Sequence, residues 1–351
     1  MTAQAALSQP ESATEPHPLT LFGFDALVAG AARPRPGANA FHDAQAETTD
    51  VLTYADLYGG VAAGLAQLRE LGLSRGEKIM VCAPPGASGF ALLTAALAEG
   101  LDPVLAPLPL PLSCAAIARA AKNLSVSALF APAQFCGVDF EAALLDLAAQ
   151  TPSIRQIGTL DGALDGAVDF SLRALTARPA PRLRISDDWG ADDTPRIGAL
   201  GPSGEIRYVT QGALIAATLD LLRATRLTRA TPILSLCAPS SPEALVGGPL
   251  AALIGGAPLY SLAPFSSERF LAMLDSLRAA RLVAPAAVLS DLARAGLLTN
   301  GALVGVVAIG EVVAAIPEAA CPVVSLRLTD GTVALRVESH AAPVGARVAA
   351  E

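Results

Sequence analysis

At 351 residues the chain outgrows a single hydrophobic core, which stops growing at about 250–300 residues, so two sub-domains are expected. Only 16% of the residues are charged, against roughly 25% in an average soluble protein, so much of the chain is expected to be buried or covered by something else. A net charge of −8 without a basic run argues against nucleic acid or an anionic membrane as partner.

Cys82, Cys114, Cys136, Cys237 and Cys321 lack C-x-x-C spacing, and several lie in apolar runs, which reads as buried thiols in a reducing cytoplasm. His17, His42 and His340 neighbour neither a cysteine nor paired carboxylates, so no metal centre is expected from them. Residues 1–18 have no basic start and no apolar middle, and read as a disordered tail rather than a signal peptide. The uncharged stretch 244–267 is long enough to cross a bilayer, which takes about 20 residues. Pro249, Pro258, Pro264 and the glycine pairs 247–248 and 255–256 cut it instead into a buried helix and a strand, so no transmembrane segment is expected.

In chain order, Thr53 with Asp56 three residues later forms a capping box for an amphipathic helix. Leu57, Val61, Leu65 and Leu68 share one face of it, and Gly72 stops it. A strand over 79–83 follows, then a helix over 89–99 with Gly100 as its stop, a strand over 103–105 and a proline-rich stretch 107–111 that cannot be helical. A helix over 113–123, a strand over 126–130 and a helix over 140–150 continue the alternation. The stretch 172–193, with Pro179, Pro181, Arg178, Arg182, Arg184, Asp187, Asp188, Asp192 and Asp193, reads as a surface connection. Beyond it come strands over 197–200, 232–236, 258–261, 282–284 and 303–309. Helices are predicted over 211–224, over 242–254 and from Ser267 through 280, with a helix start at Pro285. Finally, Leu326, Leu328, Val333, Leu335 and Val337 alternate with polar partners around Asp330-Gly331, a hairpin signal.

This pattern predicts an α/β protein with two similar doubly wound, mostly parallel sheets, flanking helices and a short C-terminal hairpin. The expected organisation is a tail over 1–18, sub-domains over 19–180 and 181–320, and the hairpin with a trailing end over 321–351.

One stretch has the grammar of an anion-binding turn. After the apolar run ending at Leu200, Gly201 and Gly204 free the backbone to approach a ligand, Ser203 offers a hydroxyl, Arg207 is the one cation, and a helix begins at Gln211. It is not the nucleotide-triphosphate loop, because Glu205 stands where a lysine belongs and a carboxylate repels phosphate. An ordinary strand-to-helix connection is the competing reading.

Together these pieces resemble the N-terminal core of the adenylate-forming superfamily: acyl- and aryl-CoA synthetases, peptide-synthetase adenylation domains and luciferases. The cues are Leu52-Thr53-Tyr54 with its helix, Gly72, Gly76-Glu77-Lys78-Ile79 before a strand, the helix-Gly100-strand unit with Pro103, and Leu282-Val283-Ala284-Pro285-Ala286; the similarity spans 53–331. On that resemblance, residues 199–207 stand where the family wraps the ATP phosphates with T-S-G-T-T-G-x-P-K. Gly201, Gly204 and Arg207 match, while Ala199, Leu200, Pro202 and Glu205 depart. Gly310-Glu311 falls at the turn lining the adenine pocket. Thr329-Asp330 stands for the Thr-Glu pair in which threonine touches phosphate and the acid ligates Mg²⁺, although Leu326-Arg327 replaces the aromatic-glycine pair before it. The resemblance thus implies Gly201, Ser203, Gly204, Arg207, Gly310 and Glu311 as nucleotide-binding candidates, Thr329 and Asp330 as catalytic candidates, and Asp330 as a candidate Mg²⁺ ligand. The sequence ends before the family's ribose-binding aspartate and holds no counterpart of the C-terminal lid, whose lysine neutralises charge as a carboxylate attacks the α-phosphate. Adenylation by this chain alone is therefore expected to be slow or absent.

Three functions are weighed. The leading one is a degenerate, AMP-binding-like pseudoenzyme serving as a binding or scaffolding subunit, with a protein partner or a second copy of itself and an acyl or carboxylate small molecule as candidate partners. The second is a carboxylate-activating ligase using ATP and Mg²⁺, completed by a lid from another chain. An unrelated hydrolase fits poorly, because Gly201-Pro202-Ser203-Gly204 is not the G-x-S-x-G elbow and His340 lies in the trailing end.

Overall fold

Short apolar runs alternate with helices along the chain, and a computed structural model shows what they build. It describes residues 17–44, 49–178, 183, 195–262, 264–312 and 319–338. The expected tail over 1–18 lies almost wholly outside the described residues, as do most of the connection 172–193, including Arg182, Arg184 and its four aspartates, and His340.

Two large sheets carry the fold. One has eight strands in the spatial order Thr332–Glu338, Val323–Thr329, Leu303–Ile309, Ala280–Pro285, Ile233–Ser235, Leu259–Leu262, Asn39–Ala44 and Thr49–Thr53. Its interior pairs are parallel and its two outermost pairs antiparallel. The other has seven strands in the order Ile206–Thr210, Arg196–Leu200, Asp102–Leu105, Lys78–Val81, Ala128–Ala131, Gln156–Thr159 and Val168–Asp169. Only its first pair is antiparallel. Strands such as Leu303–Ile309 are nearly continuous in apolar residues because helices cover parallel sheets on both faces. Strands 39–44 and 49–53 join the sheet built from the second half of the chain, and strands 196–200 and 206–210 join the sheet built from the first. Sheet membership is therefore not divided at 180/181.

One apolar cluster runs between the two sheets. It includes Leu57, Val61 and Phe90 from the first half and Val283, Val307 and Val324 from the second. Phe90 touches the rings of Phe24 and Phe41 at centroid distances of 6.2 and 6.1 Å.

Local signals explain most boundaries. The Thr53 hydroxyl accepts from the Asp56 amide and the Asp56 carboxylate accepts from the Thr53 amide, so the capping box opens helix Tyr54–Glu70 as expected. Gly100 ends helix Ala87–Glu99 in a left-handed conformation, φ 83°. Three expectations need correction. Helix Pro111–Leu124 begins on a proline, because the first helical position needs no N–H. Ser266, not Ser267, caps helix Ser267–Ser276, which ends early because Ala280 already starts a strand. The helix over 242–255 is interrupted by a π-helical segment, Val246–Leu250, around Pro249, whose missing N–H and bulky ring force the hydrogen-bond ladder to re-register.

The cysteines are all free; Cys82 and Cys321 are buried, whereas Cys136 is exposed, contrary to a uniformly buried set. Among the described residues, no helix is long and apolar enough to cross a membrane.

Candidate functional site

The turn at 201–205 joins two antiparallel strands, Arg196–Leu200 and Ile206–Thr210, and the helix Gln211–Thr225 starts only after the second. It is a hairpin turn, not a strand-to-helix connection. The chemistry is local: Pro202 pre-sets the second turn position, Gly204 takes φ 88°, and its amide donates to the Gly201 carbonyl at 3.0 Å.

Within the turn the anion position is already filled by Glu205. Its carboxylate accepts from the Ser203 hydroxyl and pairs with Arg207 Nη2 at 3.1 Å. The Ser203 hydroxyl first, then the Glu205 amide, Arg207 and the Ser203 amide hold the carboxyl below the usual glutamate range, so it is ionised at neutral pH. A side chain at Gly201 would place its Cβ 2.2 Å from Glu205 Oε1, which shows how closely the carboxylate lies on the turn. As arranged, the turn offers a polyphosphate no free hydroxyl and no uncompensated cation, and these residues do not fit that group.

The C-terminal hairpin supplies the second half of the site. Asp330 and Gly331 take φ 47° and 77° between the paired Thr329 and Thr332, a two-residue turn of the primed type. Helix Gln211–Thr225 leaves the seven-stranded sheet and packs on edge strand Thr332–Glu338 of the eight-stranded sheet. That packing carries the tip of the hairpin to the neighbouring strand: a Cβ on Gly331 would lie 3.3 Å from the Tyr208 carbonyl. Glu243 fixes strand Val323–Thr329 from another side, its carboxylate accepting from the Leu328 amide at 2.8 Å.

Arg207, Tyr208, Arg327, Thr329, Asp330 and Gly331 thereby line one cleft of about 560 Å³. Gly310 takes φ 99° after strand Leu303–Ile309 and donates to the Leu326 carbonyl at 2.9 Å, while Glu311 pairs with Arg327 at 3.1 Å. Of the expected site residues, Arg207, Thr329 and Asp330 meet in the cleft, Glu311 reaches it through Arg327, and Gly201, Ser203 and Gly204 adjoin it through Glu205. Tyr208 and Arg327 were not expected as site residues. Period-two alternation was the available signal for Arg327, since it shares a strand face with Thr329. Each guanidinium here is matched by a carboxylate, Arg207 by Glu205 and Arg327 by Glu311, and Asp330 adds a further negative charge. The balance disfavours a polyanion.

The fold has known counterparts. Apo MbtA from Mycobacterium smegmatis superposes with a TM-score of 0.68 at 20% identity, covering 87% of this chain and 57% of that one. Acetoacetyl-CoA synthetase from Streptomyces lividans gives 0.67 at 16%, covering 87% and 51%. ATP-bound MatB from Rhodopseudomonas palustris gives 0.67 at 17%, covering 86% and 59%. No family profile matches the chain, and no curated protein matches it in sequence. The chain has the fold of the adenylate-forming N-terminal core. It spans between half and three fifths of the length of these three structures.

Proposed function

We propose that this chain is a ligase-fold binding or scaffolding component in which the phosphate turn is closed by its own side chain, acting with a protein partner or a second copy of itself rather than as a free-standing adenylating enzyme. The observation that carries this reading is the Glu205 carboxylate, which takes up the donors and the cation that a phosphate would need. Calorimetric titration with ATP, with and without Mg²⁺, and with an acyl-adenylate analogue tests it. Weak or absent ATP binding by the native chain supports the proposal; tight binding with carboxylate-dependent pyrophosphate exchange overturns it.

A second reading, an ATP- and Mg²⁺-dependent carboxylate-activating ligase completed by a lid from another polypeptide, is favoured by one specific observation. Arg207, Thr329 and Asp330, far apart in sequence, share a cleft, and an ATP-bound ligase is among the structures of this fold. It requires Glu205 to swing away from the turn. It predicts exchange that Arg207→Ala abolishes, and the absence of exchange with any acid, alone or with added partners, eliminates it.

A further inference from the structure

A second concavity shares no residue with the cleft. It is a groove of about 840 Å³ between helix Phe24–Ala32 and the helical segment Ala251–Gly255, within the range of roughly 300–1,000 Å³ typical of small-ligand sites. Phe22, Ala26, Leu27, Leu253 and Ile254 make its walls apolar. Arg33, Arg35 and Arg229 are its only charged lining among the described residues, and no carboxylate lines it.

All three arginines gather at one end. Arg33 and Arg35 follow the C-terminus of helix Phe24–Ala32, and Arg35 and Arg229 both approach Gly256, which ends segment Ala251–Gly255. Arg35 has structural work: it donates to the Gly256 carbonyl at 3.3 Å, lies 5.1 Å from the centre of the Tyr54 ring, and keeps a buried Nε without a hydrogen-bond partner. Arg33 and Arg229 are exposed and make no ion pair among the described residues. In a chain of net charge −8, three arginines lining one groove without an ion pair among the described residues make that groove locally positive. Gly30 also lines the groove and faces open space. It sits inside helix Phe24–Ala32, where glycine weakens a helix, and a Cβ there would meet nothing within 4 Å.

We propose that this groove binds a monomeric amphipathic anion, an alkyl chain with a carboxylate head, the chain lying along Ala26, Gly30 and Ile254 and the head against Arg33, Arg229 and Arg35. Charge confined to one end suits a single-headed amphiphile better than a partner helix, whose charges would run along both rims.

Calorimetric titration of the full chain with dodecanoate below its micelle concentration tests this, with dodecyltrimethylammonium as the matched cation. Saturable one-to-one binding of dodecanoate is expected, with the cation at least about tenfold weaker. The double variant Arg33→Gln/Arg229→Gln should weaken dodecanoate by about tenfold or more. Gly30→Leu should abolish binding while leaving the melting temperature unchanged or higher, which separates a filled groove from a damaged fold. The proposal is overturned by no saturable binding, by equal binding of the cation, or by binding indifferent to Gly30→Leu. It also fails if the native chain responds only to anionic phospholipid vesicles, or if it self-associates through this face in a way that Gly30→Leu prevents.

Discussion

Replacing Glu205 with alanine should convert the closed turn into an anion site. In the native chain one carboxylate engages the Ser203 hydroxyl and the Arg207 guanidinium. Removing it returns both to a ligand and leaves the backbone turn intact, because the turn is closed by Gly201 and Gly204 through main-chain bonds. Each donor regained multiplies affinity for a phosphate oxygen by roughly two- to tenfold, and loss of a like charge adds a few-fold more, screened at this exposed position. Competition from water trims the product, so pyrophosphate should bind about 10- to 100-fold more tightly to Glu205→Ala than to the native chain. Titration calorimetry at low ionic strength reads this directly, and adding Arg207→Ala to the variant should remove Arg207's share of the gain, leaving that of the freed Ser203 hydroxyl and the lost negative charge. Equal pyrophosphate affinities for native chain and variant, whether both tight or both negligible, would refute the idea that Glu205 acts as the internal anion. The same logic fixes a pH dependence. The Glu205 carboxyl is held below its ordinary value of 4.5, so the native turn should begin to accept sulfate only as pH falls below that value, whereas Glu205→Gln should show no such rise.

Other perturbations test the scaffold. Thr53→Ala removes the capping box of a 17-residue helix and should cost about 1 kcal/mol in urea unfolding. Gly305→Ala would set a Cβ 2.5 Å from Arg281 Nη1, and Arg281, 6% exposed and donating to the Thr225 carbonyl at 2.7 Å, has no room to swing aside. A loss of about 1–3 kcal/mol is expected, and an unchanged urea midpoint would contradict the packing described. His42 is buried against Tyr260 at a centroid distance of 4.0 Å, its Nε2 has no hydrogen-bond partner, and burial lowers its pKa below 6.5. The unfolded chain therefore binds the proton more readily. Stability conferred by the neutral ring is complete above about pH 6.5 and is lost as pH falls through the lowered native value. Urea midpoints measured against pH should show that acid-side loss in the native chain and a smaller one in His42→Phe.

Much of the fold was legible in the residues themselves. Thr53 and Asp56, Gly100, and Asp330-Gly331 act through contacts within a few positions, so their helix start, helix stop and hairpin could be read directly. The strand Ile206–Thr210 was not read, because Arg207, Tyr208 and Thr210 break the apolar pattern of an edge strand whose outer side is unpaired. The same omission turned a hairpin into an apparent strand-to-helix loop. The early helix Phe24–Ala32 was missed for a related reason: Phe24 and Val28 are buried while Ala26 and Leu27 line the groove, so the helix is apolar on most faces and its amphipathic period is faint.

The sequence by itself determined the alternation of strands and helices, the caps that bound them and the identity of the residues available for an anion, since these depend on backbone preferences and near-neighbour hydrogen bonds. Only the tertiary structure decided that strands from each half of the chain enter the other half's sheet, that Arg207 faces Thr329 and Asp330 across a cleft, and that Arg33, Arg35 and Arg229 converge on one groove. Those outcomes follow from burying two sheets against a shared apolar cluster, and the register of that packing is a property of surfaces distant in sequence, with no signature in any short stretch.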